Sequence, residues 1–487
     1  MEVRRRSPSN SVNMESLPSS QESTPEMPRK ADVKHERAPK SEDERRQLSD
    51  DLRNLDEQSA RAARMLVYKR NKYVFLLQSM LLGISYSIIW PTLLPYILED
   101  SAQIYKSDQS QVVSRILYGI TYVAYPLGSM VSAKLVEKLN FNTKKMVLFL
   151  NMFEICGNLL FTLSMIPCAP AVGRFLAGLG DAFYVVLMKE MHQYTELSNE
   201  RLTIECLAAF VLGVILSPGI NIVTTFMHFS LGSLTFDASN FPGLTAAVLF
   251  LIMQFIIAIF IKDHSDEEET NRQKSSSGAT PNKFIDSEYI KDLEYTAWFV
   301  NGFSFVYTYI VALFELIIPF LMYERLKAST IGVMLLYAII GTVYAMFLLM
   351  TMTVSFDYQP EIFIGISIIV EIAGLSSVLY FTWLTQYTIV ADIIGIGIIV
   401  VALTLLWSVD DVLFINFVQM FVPYHQREKT HNVRKFMSKL AFAFAGITIP
   451  VLYPAILFYF LPVLIVIVCV LFVNFVVIKV VLTKRSK

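Results

Sequence analysis

The chain has 487 residues, 54% of them hydrophobic and 17% charged, against a charged share of about 25% in soluble proteins. Its formal net charge is −1, which gives no electrostatic case for nucleic acid. Cys156, Cys168, Cys206 and Cys469 lie scattered in or beside apolar runs, so they read as small buried filler and neither a metal spacing nor a disulfide framework.

Residues 1–72 mix Ser, Pro, Glu, Arg and Lys and lack the apolar core of a signal peptide. They are expected to form a disordered cytosolic tail. Its acidic stretch SEDERRQLSDD offers sites for phosphorylation or for sorting adaptors. The basic segment RAARMLVYKRNK leads into the membrane.

A spanning helix needs about 20 apolar residues. On that measure twelve are expected, over 73–98, 112–136, 145–166, 170–193, 202–228, 243–262, 296–322, 331–353, 361–383, 391–421, 432–456 and 459–482. The tenth is too long, with a possible break near Asp392 or Asp410. The charged stretch 263–295 separates two halves, 73–262 and 296–483, as a cytosolic linker. The fold class expected is an all-α membrane protein with twelve transmembrane helices in two six-helix halves.

Basic residues collect on one side by parity. Lys69, Arg70, Lys72, Lys134, Lys138, Lys144, Lys145, Arg427, Lys429 and the terminal Lys484, Arg485 and Lys487 all fall there. Both termini are therefore expected in the cytosol. The halves echo each other. Arg201, Gly213 and Pro218 recur in spacing as Arg434, Gly446 and Pro450, as a duplicated unit would give.

Ionisable groups inside spans are costly, at roughly 2.5–3.5 kcal/mol each on insertion scales, and default to functional hypotheses. They are Glu154, Arg174, Asp181, Glu205, Glu315, Glu371, Asp410 and Asp411. A carboxyl removed from water holds a proton nearer neutral pH, which suits proton coupling. Arg174, Asp181, Glu315, Asp410 and Asp411 are the candidates for a substrate or proton pathway. Adjacent residues point to different faces of a helix, so one of Asp410 and Asp411 is expected to face inward. The plain alternative for all of them is an ion pair that holds helices together. Glu137, Lys138, Lys144, Lys145, Glu200 and Arg201 are candidate gating charges, or simply the positive cytosolic cluster. Gly213, Pro218 and Gly219 form a candidate hinge, or a packing kink.

No phosphate-binding loop, nucleophile elbow or metal-ligand spacing is present. The chain is therefore expected to be no enzyme, to carry no cofactor or metal, and to act as a monomer on a small-molecule or ion substrate.

Several motifs resemble the major facilitator superfamily. They are Gly128 with Glu137-Lys138 and Lys144-Lys145 after helix 2, Arg174 with Gly178 and Gly180 in helix 4, and GVILSPG over 213–219 in helix 5. GRFLAGLGDA, ELSNERLT, LGVILSPG and FELIIP (314–319) look most like its lysosomal ceroid-lipofuscinosis branch. The resemblance implies a secondary transporter that moves a small organic solute or anion by alternating access, with proton coupling, in the endolysosomal membrane. It implies a cavity lined mainly by helices 1, 4, 7 and 10, which puts Asp181, Glu315 and Asp410/Asp411 on central helices and Glu154 and Glu371 on peripheral ones. The alternatives are a chloride-type anion channel on the same fold, a scaffold or receptor that transports nothing, and a plasma-membrane location.

Overall fold

The computed structural model describes residues 42–104, 107–139, 141–163, 168–191, 199–231, 234–262, 287–354, 360–383, 388–421, 424–453 and 457–485. Its chain divides into two compact units, Met1–Ala62 and Ala63–Lys487. The described part of the first unit is helical. Everything below concerns the second, apart from the start of its first helix.

The first half contains α1 (Glu42–Ser87), α2 (Trp90–Ile104), α3 (Ser107–Lys138), α4 (Thr143–Phe161), α5 (Ala169–Gly180), α6 (Phe183–Met191), α7 (Asn199–Thr224) and α8 (Phe241–Phe260). The second contains α9 (Ser287–Phe320), α10 (Thr330–Val354), α11 (Pro360–Trp383), α12 (Ile389–Phe421), α13 (Tyr424–Leu452) and α14 (Leu457–Arg485). Lipid offers no partner to a backbone amide, so apolar runs this long must bond internally as helices. Eleven stretches of the described residues are long and apolar enough to cross a membrane. The twelfth, α4, falls short on composition, because its 19 residues carry Lys144, Lys145 and Glu154. It nonetheless packs along α5 and α8 like its apolar neighbours. The molecule is an all-α membrane protein of two six-helix halves.

Packing repeats between the halves. In the first, α3 meets α5, α4 meets α5, and α4 meets α8. In the second, α10 meets α12, α11 meets α12, and α11 meets α14. These are the same three pairs moved on by six crossings. The halves join through α3 with α13 and through α7 with α10, and each of those pairs becomes the other under the same shift. A pseudo-two-fold relation therefore emerges from the contacts alone. Its centre is α9. The Asn301–Arg325 span is 89% buried, whereas Leu457–Asn474 is 22% buried and faces outward.

Three crossings near that centre are not continuous α-helix. The first breaks at Ile88–Ile89, between α1 and α2. Pro91 has no amide to offer the Ser87 carbonyl, and the side-chain amide of Asn221 donates to the Ile88 carbonyl at 2.5 Å. The fourth breaks at Asp181–Ala182, where the Asp181 amide turns back to Gly178 O at 3.2 Å. The seventh ends in a π-helical turn, Leu321–Arg325, just after Pro319. Pro319 likewise has no amide for the Glu315 carbonyl.

Several expectations shift. The stretch 42–72, expected within the disordered tail, is helical; residues 41–66 hold strong helix formers and no Gly or Pro. The end of the expected linker is helical from Ser287. α12 runs unbroken past both Asp392 and Asp410. A short antiparallel hairpin, Phe229–Leu231 with Leu234–Phe236, follows α7; three-residue strands are too short to register as a sequence period. Residues 1–41 and 263–286 lie outside the described residues.

Candidate functional site

Arg174 lies on α5 and is 1% exposed. Its guanidinium carbon sits 4.4 Å from the ring centroid of Tyr125 and 5.8 Å from that of Trp90, inside cation–π range. Nη1 donates to the Ser85 carbonyl at 3.3 Å. Nη2 is buried without a hydrogen-bond partner. Among the described residues no carboxylate lies within ion-pair distance of it.

Glu154, on α4, is fully buried beside it. One of its oxygens accepts from Ser85 Oγ at 2.9 Å and from Asn158 Nδ2 at 3.2 Å. The other has no partner. A β-carbon on Gly180 would come within 2.5 Å of the Glu154 side chain, so the glycine is what makes room for the carboxyl. Glu154 thus points inward, not to the periphery where the third helix was expected to keep it.

Glu315, on α9, is 1% exposed. Tyr86 of α1 donates to both its oxygens, at 3.1 and 3.3 Å, and Tyr122 of α3 donates at 3.1 Å. A carboxyl of the second half is therefore held by two phenols of the first. Trp90 packs against both phenols, with centroids 5.8 Å from Tyr86 and 4.8 Å from Tyr122.

Asp181 caps α5. Its Oδ2 lies 2.7 Å from Lys439 Nζ of α13 and accepts from Ser129 Oγ at 2.5 Å. Tyr125 donates to Oδ1 at 3.3 Å. Here an ion pair does join helices, and it joins the two halves. Lys439 escaped the sequence reading because it follows a basic run, where one more lysine looks like loop-side charge.

Further bridges hold the ends of the bundle. On the face away from the chain termini, Arg115 of α3 pairs with Glu324 at 3.1 Å and donates to the Tyr453 carbonyl at 2.9 Å. Its guanidinium also lies 5.5 Å from the Tyr453 ring centroid and 6.0 Å from that of Phe320. On the terminal face, Lys134 lies 5.9 Å from the ring centroid of Phe436. There too Lys72 pairs with Glu205 within the first half.

Among the pathway candidates, Arg174, Asp181 and Glu315 come together through Tyr86, Tyr122 and Tyr125. Asp410 and Asp411 lie on α12, with side chains outside the described residues. Of the gating candidates, Lys138 and Lys145 are exposed and Lys144 is half-buried. The side chains of Glu137, Glu200 and Arg201 lie outside the described residues. Gly213 sits where α7 crosses α1, and a β-carbon there would meet the Met80 carbonyl at 2.0 Å. Pro218 and Gly219 lie within unbroken α7, with open space at Gly219. Glu371 is buried on α11. The tyrosines were invisible in advance because 23 of them are spread along the chain without a distinguishing period.

Residues 75–446 match the Major Facilitator Superfamily. No curated protein sequence matches the chain significantly. Its fold is similar to that of a D-xylose–proton symporter, with TM-score 0.63 and 12% identity over 83% of this chain and 97% of that one. It is also similar to the human organic anion transporter MFSD10 (TETRAN), with TM-score 0.53 and 12% identity over 84% and 99%. The inward-open xylose transporter XylE from E. coli gives TM-score 0.59 and 13% identity over 83% and 95%. At these identities the likeness is one of fold. The family match spans most of the chain, and the repeated helix packing agrees with it: the chain belongs to the major facilitator superfamily.

Proposed function

We propose that the protein is a proton-coupled secondary carrier, which moves a small organic solute or anion by rocking its halves about the central cluster. One observation carries this reading. Glu315 belongs to one half, is gripped by phenols of the other, and is closed off from water. Alternating access requires the halves to part where they meet. A carboxyl at that seam changes its hydration, and so its hold on a proton, each time they do. Proton binding and opening become one event. By its resemblance to the lysosomal branch, the proposed location is the endolysosomal membrane.

The test is flux in liposomes containing the purified protein, with and without an imposed pH gradient. Saturable uptake driven by the gradient is expected. Glu315→Gln removes the titrating proton but keeps a group of similar shape, so exchange of solute across the membrane persists while gradient-driven accumulation is lost. Accumulation that survives Glu315→Gln overturns the coupling role. A conductance that does not saturate replaces the carrier with a channel. Colocalisation of the tagged chain with a lysosomal marker tests the address.

A further inference from the structure

Buried polar atoms are paired in nearly all native structures, and each exception asks for a reason. Four of these exceptions lie together: Arg174 Nη2, Trp90 Nε1, Glu154 Oε1 and Asn158 Oδ1 are all buried without a hydrogen-bond partner. They come from α5, α2 and α4, so no single helix distortion explains them. They are also contiguous. Trp90 lies beside Arg174, and Asn158 and Glu154 both touch Ser85, which also holds Arg174. Leaving one such group unmade costs about 1–3 kcal/mol. A pair of donors, one of them a cation, is an arrangement that can receive an anion.

The chemistry of the orphans describes it. Two are donors, and one of these is a guanidinium edge whose geometry suits a carboxylate. Beside them pack the rings of Tyr86, Trp90, Tyr122 and Tyr125, an aromatic surface that favours a flat apolar body when the halves part. The charge balance then involves the glutamates. With Glu154 and Glu315 both ionised, Arg174 leaves the cluster at −1; with both protonated it stands at +1, the sign an anion needs. Asp181 and Lys439 cancel each other.

We infer that Arg174 and Trp90 form the binding site for the carboxylate of an aromatic organic acid, with the tyrosine rings taking its body. This deepens the carrier reading and rests on it.

The experiment is thermal stabilisation of the purified full chain in detergent, with sodium benzoate and sodium 4-phenylbutyrate as probes. Benzamide and benzylamine serve as neutral and cationic counterparts. At least one acid is expected to raise Tm in a saturable way while both counterparts stay silent. Trp90→Phe keeps an aromatic side chain but loses the indole N–H and the fused ring's packing, and should weaken binding roughly three- to tenfold or more. Arg174→Gln should weaken it by roughly tenfold or more, with Arg174→Lys recovering part. Trp90→Phe keeps the inference testable if the arginine variants do not fold. The inference is overturned if neither acid shifts Tm, if benzamide matches benzoate, or if both Arg174→Gln and Trp90→Phe bind as the parent does. Acid binding without gradient-driven flux would sink the carrier reading alone. Gradient-driven flux of a neutral solute, with no acid binding, would sink this inference alone.

Discussion

Tyr125 makes two contacts that belong to different tasks. Its ring lies under the Arg174 guanidinium, and its hydroxyl donates to Asp181, which reaches across to Lys439 in the other half. Tyr125→Phe separates the two. The ring stays, so solute affinity is expected to hold within about twofold. The hydroxyl goes, at a stability cost of about 0.5–1.5 kcal/mol, and the central cation loses its link to the pair joining the halves. Flux kinetics should therefore show kcat falling with KM nearly unchanged; a rise in KM alone would make Tyr125 a binding residue only. Asp181 and Lys439 permit a second test. Lys439→Met leaves a carboxylate that is mostly enclosed, while the lysine itself is 34% exposed, so the loss should lie between surface and buried values, at about 1–3 kcal/mol. Adding Asp181→Asn should recover much of that loss in thermal denaturation; additive losses would mean that the pair contributes nothing as a pair. Arg174, Asp181 and Glu315 were legible in the sequence because a charge inside an apolar run is conspicuous. Tyr86, Tyr122, Tyr125 and Ser85 were not, because phenols and hydroxyls are common in spanning helices and nothing in their spacing marks the few that meet.

At the scale of elements, the closest approach between halves is the crossing of α3 and α13. A β-carbon on Gly119 would stand 2.3 Å from the Gly446 carbonyl oxygen, whereas one on Gly446 would first meet the Val123 side chain at 2.6 Å. Backbone yields least; the Val123 methyl and the Tyr122 ring, which the same β-carbon would meet at 2.9 Å, are side chains that can shift a little, at some cost. Gly119→Ala is therefore expected to destabilise more than Gly446→Ala, by about 1–3 kcal/mol against less than about 1.5 kcal/mol, and to slow transport more. Thermal midpoints and flux for the two variants check the order, and equal losses would show that α3 and α13 separate freely. The number of spanning helices was legible from apolar length. Their breaks were less so. Pro91 and Pro319 were visible, but whether a proline kinks, interrupts or loosens a helix depends on neighbours such as Asn221, which caps the gap in the first crossing from another helix. The fourth crossing breaks without a proline, at Asp181, whose partners lie on α3 and α13. Discontinuities of this kind place half-helix ends at binding sites.

For the whole molecule, the two faces are held differently. On the face away from the termini, Arg115 ties α3 to Glu324 and to the Tyr453 carbonyl, and so fastens the first half to the second. On the terminal face, the Lys72–Glu205 pair stays within one half, while Lys134 and Phe436 meet across the seam without a carboxylate. Among the described residues the seam is thus pinned by an ion pair at the far face and by Asp181–Lys439 deeper in the bundle. The strength of that fastening is bounded. An ion pair with side chains 26% and 43% exposed contributes about 0–1 kcal/mol, which shifts a two-state population by at most roughly fivefold. Arg115 therefore biases the equilibrium without locking it, as the proposed alternation between faces would require. Tyr118 lies one turn deeper on α3, is 1% exposed and packs against Phe320 with centroids 5.3 Å apart. A cysteine placed there, in a chain whose four native cysteines are replaced, should react slowly with a membrane-impermeant maleimide. Adding Arg115→Gln should raise that rate by a factor of a few, up to roughly fivefold, with reagent on the far face only. A larger jump would mean that Arg115 is a lock whose loss collapses the closed state, and no change would mean that apolar contact around Phe320 and Tyr453 closes this face by itself.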